Sequence, residues 1–423
     1  MNLFRITFVL LLCGAGNTAF AQLTIVECQR KARENYPLIT RYMLIDKLKA
    51  YSLDNAGKGY LPQVSVSAKA AYQSEVTEIP LQLPGIELPH ISKDQYAATI
   101  DVNQTIWDGG LIHAKKELIK TGATIEQSQL EVDLYAIKER VNQIFFGILS
   151  LDAKLAQTEL LLAELQRNYE RVDGYRQNGL ANLADLDVVR VEQLNVRQTQ
   201  IRLASSRKAF LEMLSLLTGK SISERDILQH PEDEEEGGMD TFNRPELQLF
   251  NAQLSGLDAQ KLAIKAGAMP RVGLFITGGY GRPGLNMLKD EFSGYYVGGI
   301  RISWNFSSLY TKKNDIRSIE INRENINALR ETFLFNTRLQ VSRENSEITK
   351  NRELLRTDDE IIALRNRLKQ ATEAKVANGT ATVTDLMRDI TAEDLARQDK
   401  IQHELEWLLA VYNRKFITNE YEQ

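Results

Sequence analysis

The residues able to do chemistry are few and scattered. Four histidines stand at 90, 113, 230 and 403, with no His-x-x-x-His pair among them. Two cysteines, Cys13 and Cys28, cannot build a Cys-rich zinc site or a disulfide scaffold. No G-x-S-x-G, Walker A or dinucleotide fingerprint is present, so no residue points to an enzyme or to a cofactor. The acidic run Glu232-Asp233-Glu234-Glu235-Glu236-Gly237-Gly238 reads as a solvated loop rather than a metal site. Lys69, Asp101 and Arg301 fall on the polar sides of alternating runs, where they would act by charge alone. Their role depends on the elements that carry them.

The chain has 423 residues, 43% hydrophobic and 26% charged. That length suits two or three ordinary domains, or one architecture with a long internal repeat. With 9 Pro and 25 Gly it is neither collagen-like nor a Pro/Gly-rich disordered chain. No apolar run reaches the ~18 residues of a membrane-spanning helix. The N-terminus combines Arg5, an apolar run from Ile6 to Cys13, and Ala19-Phe20-Ala21 before Gln22. That pattern predicts a Sec signal peptide over 1–21. Cys13 follows Leu10-Leu11-Leu12, which lacks the small residue of a lipobox, so cleavage after Ala21 is favoured over lipidation. Removing Arg5 moves the formal charge from −4 to −5, too mild to suggest a nucleic-acid partner.

The chain repeats itself. Asn35-Tyr36-Pro37 recurs as Asn243-Arg244-Pro245, and Pro62-Gln63-Val64 as Pro270-Arg271-Val272, both at an offset of 208. Tyr96 and Ile100 match Tyr296 and Ile300 at an offset of 200, as do Asn178-Gly179 and Asn378-Gly379. The offset changes once, between Tyr72 and Tyr96, in an interval containing Pro80, Pro84 and Pro89. A loop absorbs such a length change cheaply. The predicted organisation is a first repeat over 22–217, a linker over 218–242 and a second repeat over 243–423. Each copy carries a helix, a strand pair and a long helical hairpin.

The strand pairs are expected at 63–74 with 95–107, and at 271–282 with 295–307. Val64, Val66, Ala68, Ala70 and Tyr72 alternate with polar or small residues, and Ile300, Ile302, Trp304 and Phe306 with Arg301, Ser303 and Asn305. Period-two alternation gives one apolar and one polar face. A soluble hairpin packed on a helix would read the same way. The run lengths also suit tilted membrane strands of ~9–11 residues, with Trp107 and Trp304 near their ends as in an aromatic girdle. Four strands cannot close a barrel, so membrane strands would have to be pooled between protomers. Such a barrel would put Lys69, Asp101 and Arg301 in its lumen.

From Leu111 to Gln177 there is no proline. A helix there would run roughly 100 Å at ~1.5 Å per residue. Leu134, Ile137, Val141, Ile144, Ile148, Leu151, Leu155, Thr158, Leu162, Leu165, Tyr169 and Val172 repeat at spacings of 3 and 4, a coiled-coil seam. Further arms are predicted from Leu183 to about Leu217, Thr311 to Ala377, and Val383 to about Lys415.

Together these residues resemble the TolC-like outer-membrane factor family. The likeness is carried by Tyr60-Leu61-Pro62-Gln63-Val64, by Gln104-Thr105-Ile106-Trp107-Asp108-Gly109-Gly110, and by Asn178-Gly179-Leu180-Ala181 with Asp185-Leu186 and its copy. The resemblance implies a mainly α fold with a small β part. Twelve strands pooled in a homotrimer form an outer-membrane β-barrel, and the helices form an α-barrel through the periplasm. It implies an exit duct working with a periplasmic adaptor and an inner-membrane pump of RND or ABC type, small-molecule efflux being favoured. The implied adaptor-contact tips are Asn178, Gly179 and Leu180 near 178–182, with Asn378, Gly379 and Thr380 near 378–382. Asp385 falls at a pore-gate position, with Arg388 where the family has a second acidic residue and Asp185 as the equivalent in the other hairpin. Asp385 and Arg388 stand at i, i+3 and are able to pair, which weakens the case for cation selectivity. Solvated surface charge is the plain alternative for all three. A non-channel periplasmic coiled-coil scaffold is the alternative for the whole chain.

Overall fold

The computed structural model describes residues 23–77, 91–231 and 242–419. The segment predicted as a signal peptide, the proline-containing loop with His90, and the acidic run lie outside the described residues. Helix α1 (Ile25–Asn35) is capped by the Thr24 hydroxyl, which accepts from the Glu27 N–H. The one helix expected before the first strand pair is broken. Tyr36 turns extended at ψ 130, a 3-10 turn follows at Pro37–Thr40, and α2 spans Arg41–Gly57. A residue before proline is pushed out of the helical region, which accounts for the break.

Strands β1 (Gln63–Tyr72) and β2 (Asp94–Trp107) form one hairpin, and β3 (Arg271–Arg282) and β4 (Ser293–Ser303) the other. The two hairpins join into one antiparallel sheet of order β1-β2-β3-β4. A bulge interrupts the β2–β3 register between Thr105 and Trp107. The long helices are α3 (Leu111–Gln177), α4 (Leu183–Thr218), α6 (Ser307–Ala377) and α7 (Val383–Thr418), with α5 (Pro245–Gly267) before β3. The chain is duplicated, each half giving a helix, a strand pair and a long hairpin.

The chain divides into two units. One combines Leu38–Asp133 with Asn243–Arg338 and holds the sheet and α5. Its helical core is rich in small residues, including Ala56, Ala114, Ala123, Ala252, Ala259 and Ala266. Small side chains allow close helix approach; a Cβ at Gly256 would lie 2.9 Å from Ile125 Cδ1. The other unit combines Met1–Pro37, Leu134–Phe242 and Leu339–Gln423. Here much of the predicted seam is buried: Leu134, Val141, Ile148, Leu165 and Val172 are all at 1% exposure or less, while Leu151, Leu155, Leu162 and Tyr169 are half-buried. Thr158, its polar member, is satisfied by donating to the Lys154 carbonyl. Leu165, Val172, Leu186, Val189, Leu386 and Ile390 knit α3, α4 and α7 together near the hairpin ends.

Candidate functional site

The sheet has two chemically distinct faces. The register places Val64, Val66, Ile100, Val102, Leu274, Ile276, Ile300 and Ile302 on one of them. These side chains are largely open to the surroundings, Val66 at 74% and Ile302 at 72%. Tyr72, Tyr96, Tyr280 and Tyr296 stand on the same face toward one end of the sheet. Lys69, Asp101 and Arg301 share the opposite face, with Ser65, Ser67, Thr99, Asn103 and Thr277. Asp101 accepts from Thr277 Oγ1 at 2.5 Å, tying the two hairpins together. Arg301 lies 4.5 Å from the centre of the Phe275 ring, and Lys69 is exposed. Strands β1 and β4 are the outer strands, each paired on one side only among the described residues.

The two motifs at the base of the sheet meet. Gln104 Nε2 donates to the Tyr60 carbonyl at 2.7 Å, and the Tyr60 hydroxyl reaches Asp108 at 3.5 Å. Asp108, 5% exposed, accepts from the N–H groups of Gly110 and Ile112 and so opens α3. Gly109 sits at φ +71, and a Cβ there would fall 2.5 Å from Met269 Cβ. Both the left-handed backbone and the close approach require glycine. The Asp-Gly-Gly signal thus marks a strand-to-helix corner.

Both hairpin ends share one construction. Leu180 N–H donates to the Tyr175 carbonyl at 2.8 Å and Gly179 N–H to Arg176 at 3.0 Å, a Schellman closure. Thr380 and Gly379 repeat it onto Lys375 and Val376. Gly179 and Gly379 sit at φ +74 and +67, and each would point a Cβ into open space. Asn178 and Asn378 each donate back to the carbonyl four residues earlier. The ends differ in surface: Leu180 and Leu183 are exposed, whereas Val383 is 4% exposed.

Asp185 and Asp385 occupy the third position of α4 and α7, where each completes a capping box. Asp185 accepts from the Asn182 N–H while Asn182 accepts from the Asp185 N–H. Asp385 does the same with Thr382 and also accepts from its hydroxyl at 2.7 Å. The Thr382 hydroxyl, then its N–H, then the nearby Arg388 hold the Asp385 carboxyl below the usual aspartate range. Arg388 lies 3.6 Å from both Asp385 and Asp389. The spacings Asn182-x-x-Asp185 and Thr382-x-x-Asp385 carry this capping signal in the sequence.

One constellation went unread in the sequence. Lys369 on α6 bridges Glu164 on α3 at 2.6 Å and Glu393 on α7 at 2.5 Å. Arg397 joins Glu393 at 2.6 Å. Burial pushes the Glu393 carboxyl up, but hydrogen bonds from Lys369 and Arg397 outweigh it and hold it low. Asp394 beside it is raised by burial, despite amide donors from Gln157 and Gln398. Among the described residues no cluster of His, Cys, Asp and Glu is arranged to hold a metal, and no helix is long and apolar enough to cross a membrane.

Residues 31–220 match the family model described as outer membrane efflux protein. That segment, a little under half of the chain, is similar to the outer membrane efflux proteins. Solved outer-membrane proteins carry the same fold across nearly the whole chain. CusC, described in terms of transmembrane channel formation, aligns at TM-score 0.71 and 13% identity, covering 94% of this chain and 92% of its own. The outer membrane protein VceC from Vibrio cholerae aligns at 0.67 and 14%, covering 92% and 95%. The open state of the MtrE outer membrane channel from Neisseria gonorrhoeae aligns at 0.66 and 12%, covering 93% and 88%. Curated proteins give no match by sequence. The family description and these channels point to an outer-membrane setting for the uncovered apolar sheet face.

Proposed function

We propose that this protein is a homotrimeric exit duct in the outer membrane. A periplasmic adaptor and an inner-membrane pump, of RND or ABC type, feed it with small solutes. The observation that carries this reading is the four-stranded sheet, with an uncovered apolar face and two outer strands paired on one side only among the described residues. In lipid each unpaired backbone group costs several kcal/mol, so the strands must close with those of other copies. Three protomers give twelve strands and one barrel. The apolar face then meets outer-membrane lipid, and Lys69, Asp101 and Arg301 line the water-filled lumen. A periplasmic scaffold has no use for such a face, and the family consists of channels rather than enzymes.

The tips formed by Asn178, Gly179 and Leu180 and by Asn378, Gly379 and Thr380 are the adaptor-contact ends of this duct. Asp385 would form a threefold carboxylate ring just inside the constriction, with Asp185 bracing the neighbouring hairpin. A carboxylate ring favours cations. Here Arg388 stands 3.6 Å from Asp385 and offsets part of that charge. The chain would reach this location through the signal peptide at 1–21.

Membrane fractionation of cells expressing the full chain tests the duct reading. Heat-labile trimers in the outer-membrane fraction are expected. A soluble periplasmic monomer would overturn the proposal.

A further inference from the structure

We propose that Arg271 and Arg301 form a binding station for solutes bearing phosphate or carboxylate groups, at the base of the sheet on its polar face. The inference rests on the duct reading for its location in a lumen, but the site itself lies within one protomer. Arg271 is opposite Ser303, and Arg301 opposite Gly273, on adjacent strands. The two arginines are therefore diagonal neighbours on one face, roughly 7–8 Å apart by the geometry of such pairs. Like charges at that spacing repel, and among the described residues neither guanidinium is paired with a carboxylate.

Both arginines border a cavity of about 320 Å³, with Asn103 and Ser303 adding neutral polar groups from the same face. Two carboxylates lie near, and both are engaged. Asp108 in the cavity wall is buried and accepts from the first N–H groups of α3. Asp101, farther along the same face, is held by Thr277 and Thr99. Arg301 is steered by the Phe275 ring, which occupies a π face and leaves the N–H edge available. Two forked donors, a neighbouring amide and no free carboxylate match a multi-oxygen anion, for which arginine is the preferred partner. Gly273, between the arginines, presents no side chain to fill the space. In a pooled barrel three such stations would put six guanidiniums at the level where the helices meet the strands.

The probe is inorganic pyrophosphate, titrated calorimetrically into the full-length protein in detergent. Saturable binding that weakens as salt rises is expected for the unaltered chain. The Arg271→Gln/Arg301→Gln variant should lose at least tenfold in affinity. Arg271→Lys/Arg301→Lys, which keeps the charge but not the fork, should fall between, and it decides the matter if the glutamine variant fails to assemble. No saturable binding, or equal affinity across the variants, overturns the station. Bilayer recordings on the same preparation separate the two readings. Conductance without pyrophosphate binding overturns the station and leaves the duct. Binding without conductance supports the station and overturns the duct.

Discussion

The indole N–H of Trp304 donates to the carbonyl of Ala268 at 3.1 Å. Its counterpart in the first half is Gln104, whose side chain donates to the Tyr60 carbonyl at 2.7 Å. Trp304 follows Gln104 by 200 residues, and Ala268 follows Tyr60 by 208. The two halves thus keep one hydrogen bond with different donors, linking the end of a strand to the chain before the hairpin. Trp304→Phe keeps the ring and loses the donor. It should lower stability by about 1 kcal/mol, the net worth of one such bond. Trp304→Gln, borrowing the chemistry of the first half, should restore most of it. The temperature at which the oligomer dissociates on a gel reads both effects.

At the tips, Gly179→Trp combined with Gly379→Trp should lower efflux while trimers still form. Both positions face open space, so the added rings project outward, where an adaptor would dock. Gly179→Ala with Gly379→Ala carries the strain of a left-handed φ, about 1–2 kcal/mol per site, without the bulk. That control should retain efflux. Normal efflux in the tryptophan variant would remove the tips from the contact surface.

Asp385 has a capping role and a proposed pore role, and substitution separates them. Asp385→Asn keeps an oxygen to accept from Thr382 and loses the charge. Divalent-ion block in planar-bilayer recordings should weaken in this variant. Arg388→Ala, which frees the Asp385 carboxylate, should strengthen the block. Unchanged block in both would place Asp385 outside the pore and leave the cap as its function.

Lys369→Met would strand Glu393, whose side chain is 5% exposed, beside Glu164. Removing one partner of a buried ion pair typically costs about 3–5 kcal/mol. Arg397 still meets Glu393, so a loss of about 3 kcal/mol is expected, near the lower end of that range. Thermal unfolding followed by circular dichroism checks it. A second change, Glu393→Gln, should recover part of the loss by removing the stranded charge.

The same groups set an acid limit. Glu393 and Asp385 titrate low in the folded chain, so they bind fewer protons folded than unfolded. Their stabilisation is complete above the ordinary carboxylate values of 4.5 and 3.8, and is lost as pH falls through the lowered folded values. Asp394, raised by burial, acts oppositely: its contribution is present at low pH and is lost as pH rises through its folded value. Asp394→Asn should therefore stabilise the protein at neutral pH and have little effect in acid. Melting temperatures across pH 3–8 distinguish this from a structural role for the carboxylate.

Much of the architecture was readable because it is periodic. Seam residues from Leu134 to Val172 declare a helix and the face it buries, since apolar side chains spaced three and four apart share one side. The alternation around Val64 and Ile300 declares strands with two unlike faces. The site was less readable. The resemblance marks Asp185 and Asp385 as pore-gate positions, while the capping spacing that explains them locally is itself in the sequence. The Glu164–Lys369–Glu393 bridge left no signal, because its members lie on three helices more than twenty residues apart in the chain.

By itself the sequence determined the elements and their duplication: local periodicity, proline placement and Asn-Gly turns act over a few residues and need no partner. Tertiary structure alone decided the order of the four strands. It brought Lys69, Asp101 and Arg301 to one face, and it set Arg271 diagonally beside Arg301. Register between β2 and β3 joins residues some 180 positions apart. A shift of one residue would turn every side chain of a strand to the other face. Only the folded sheet fixes which charges share a surface, and so what that surface is able to bind.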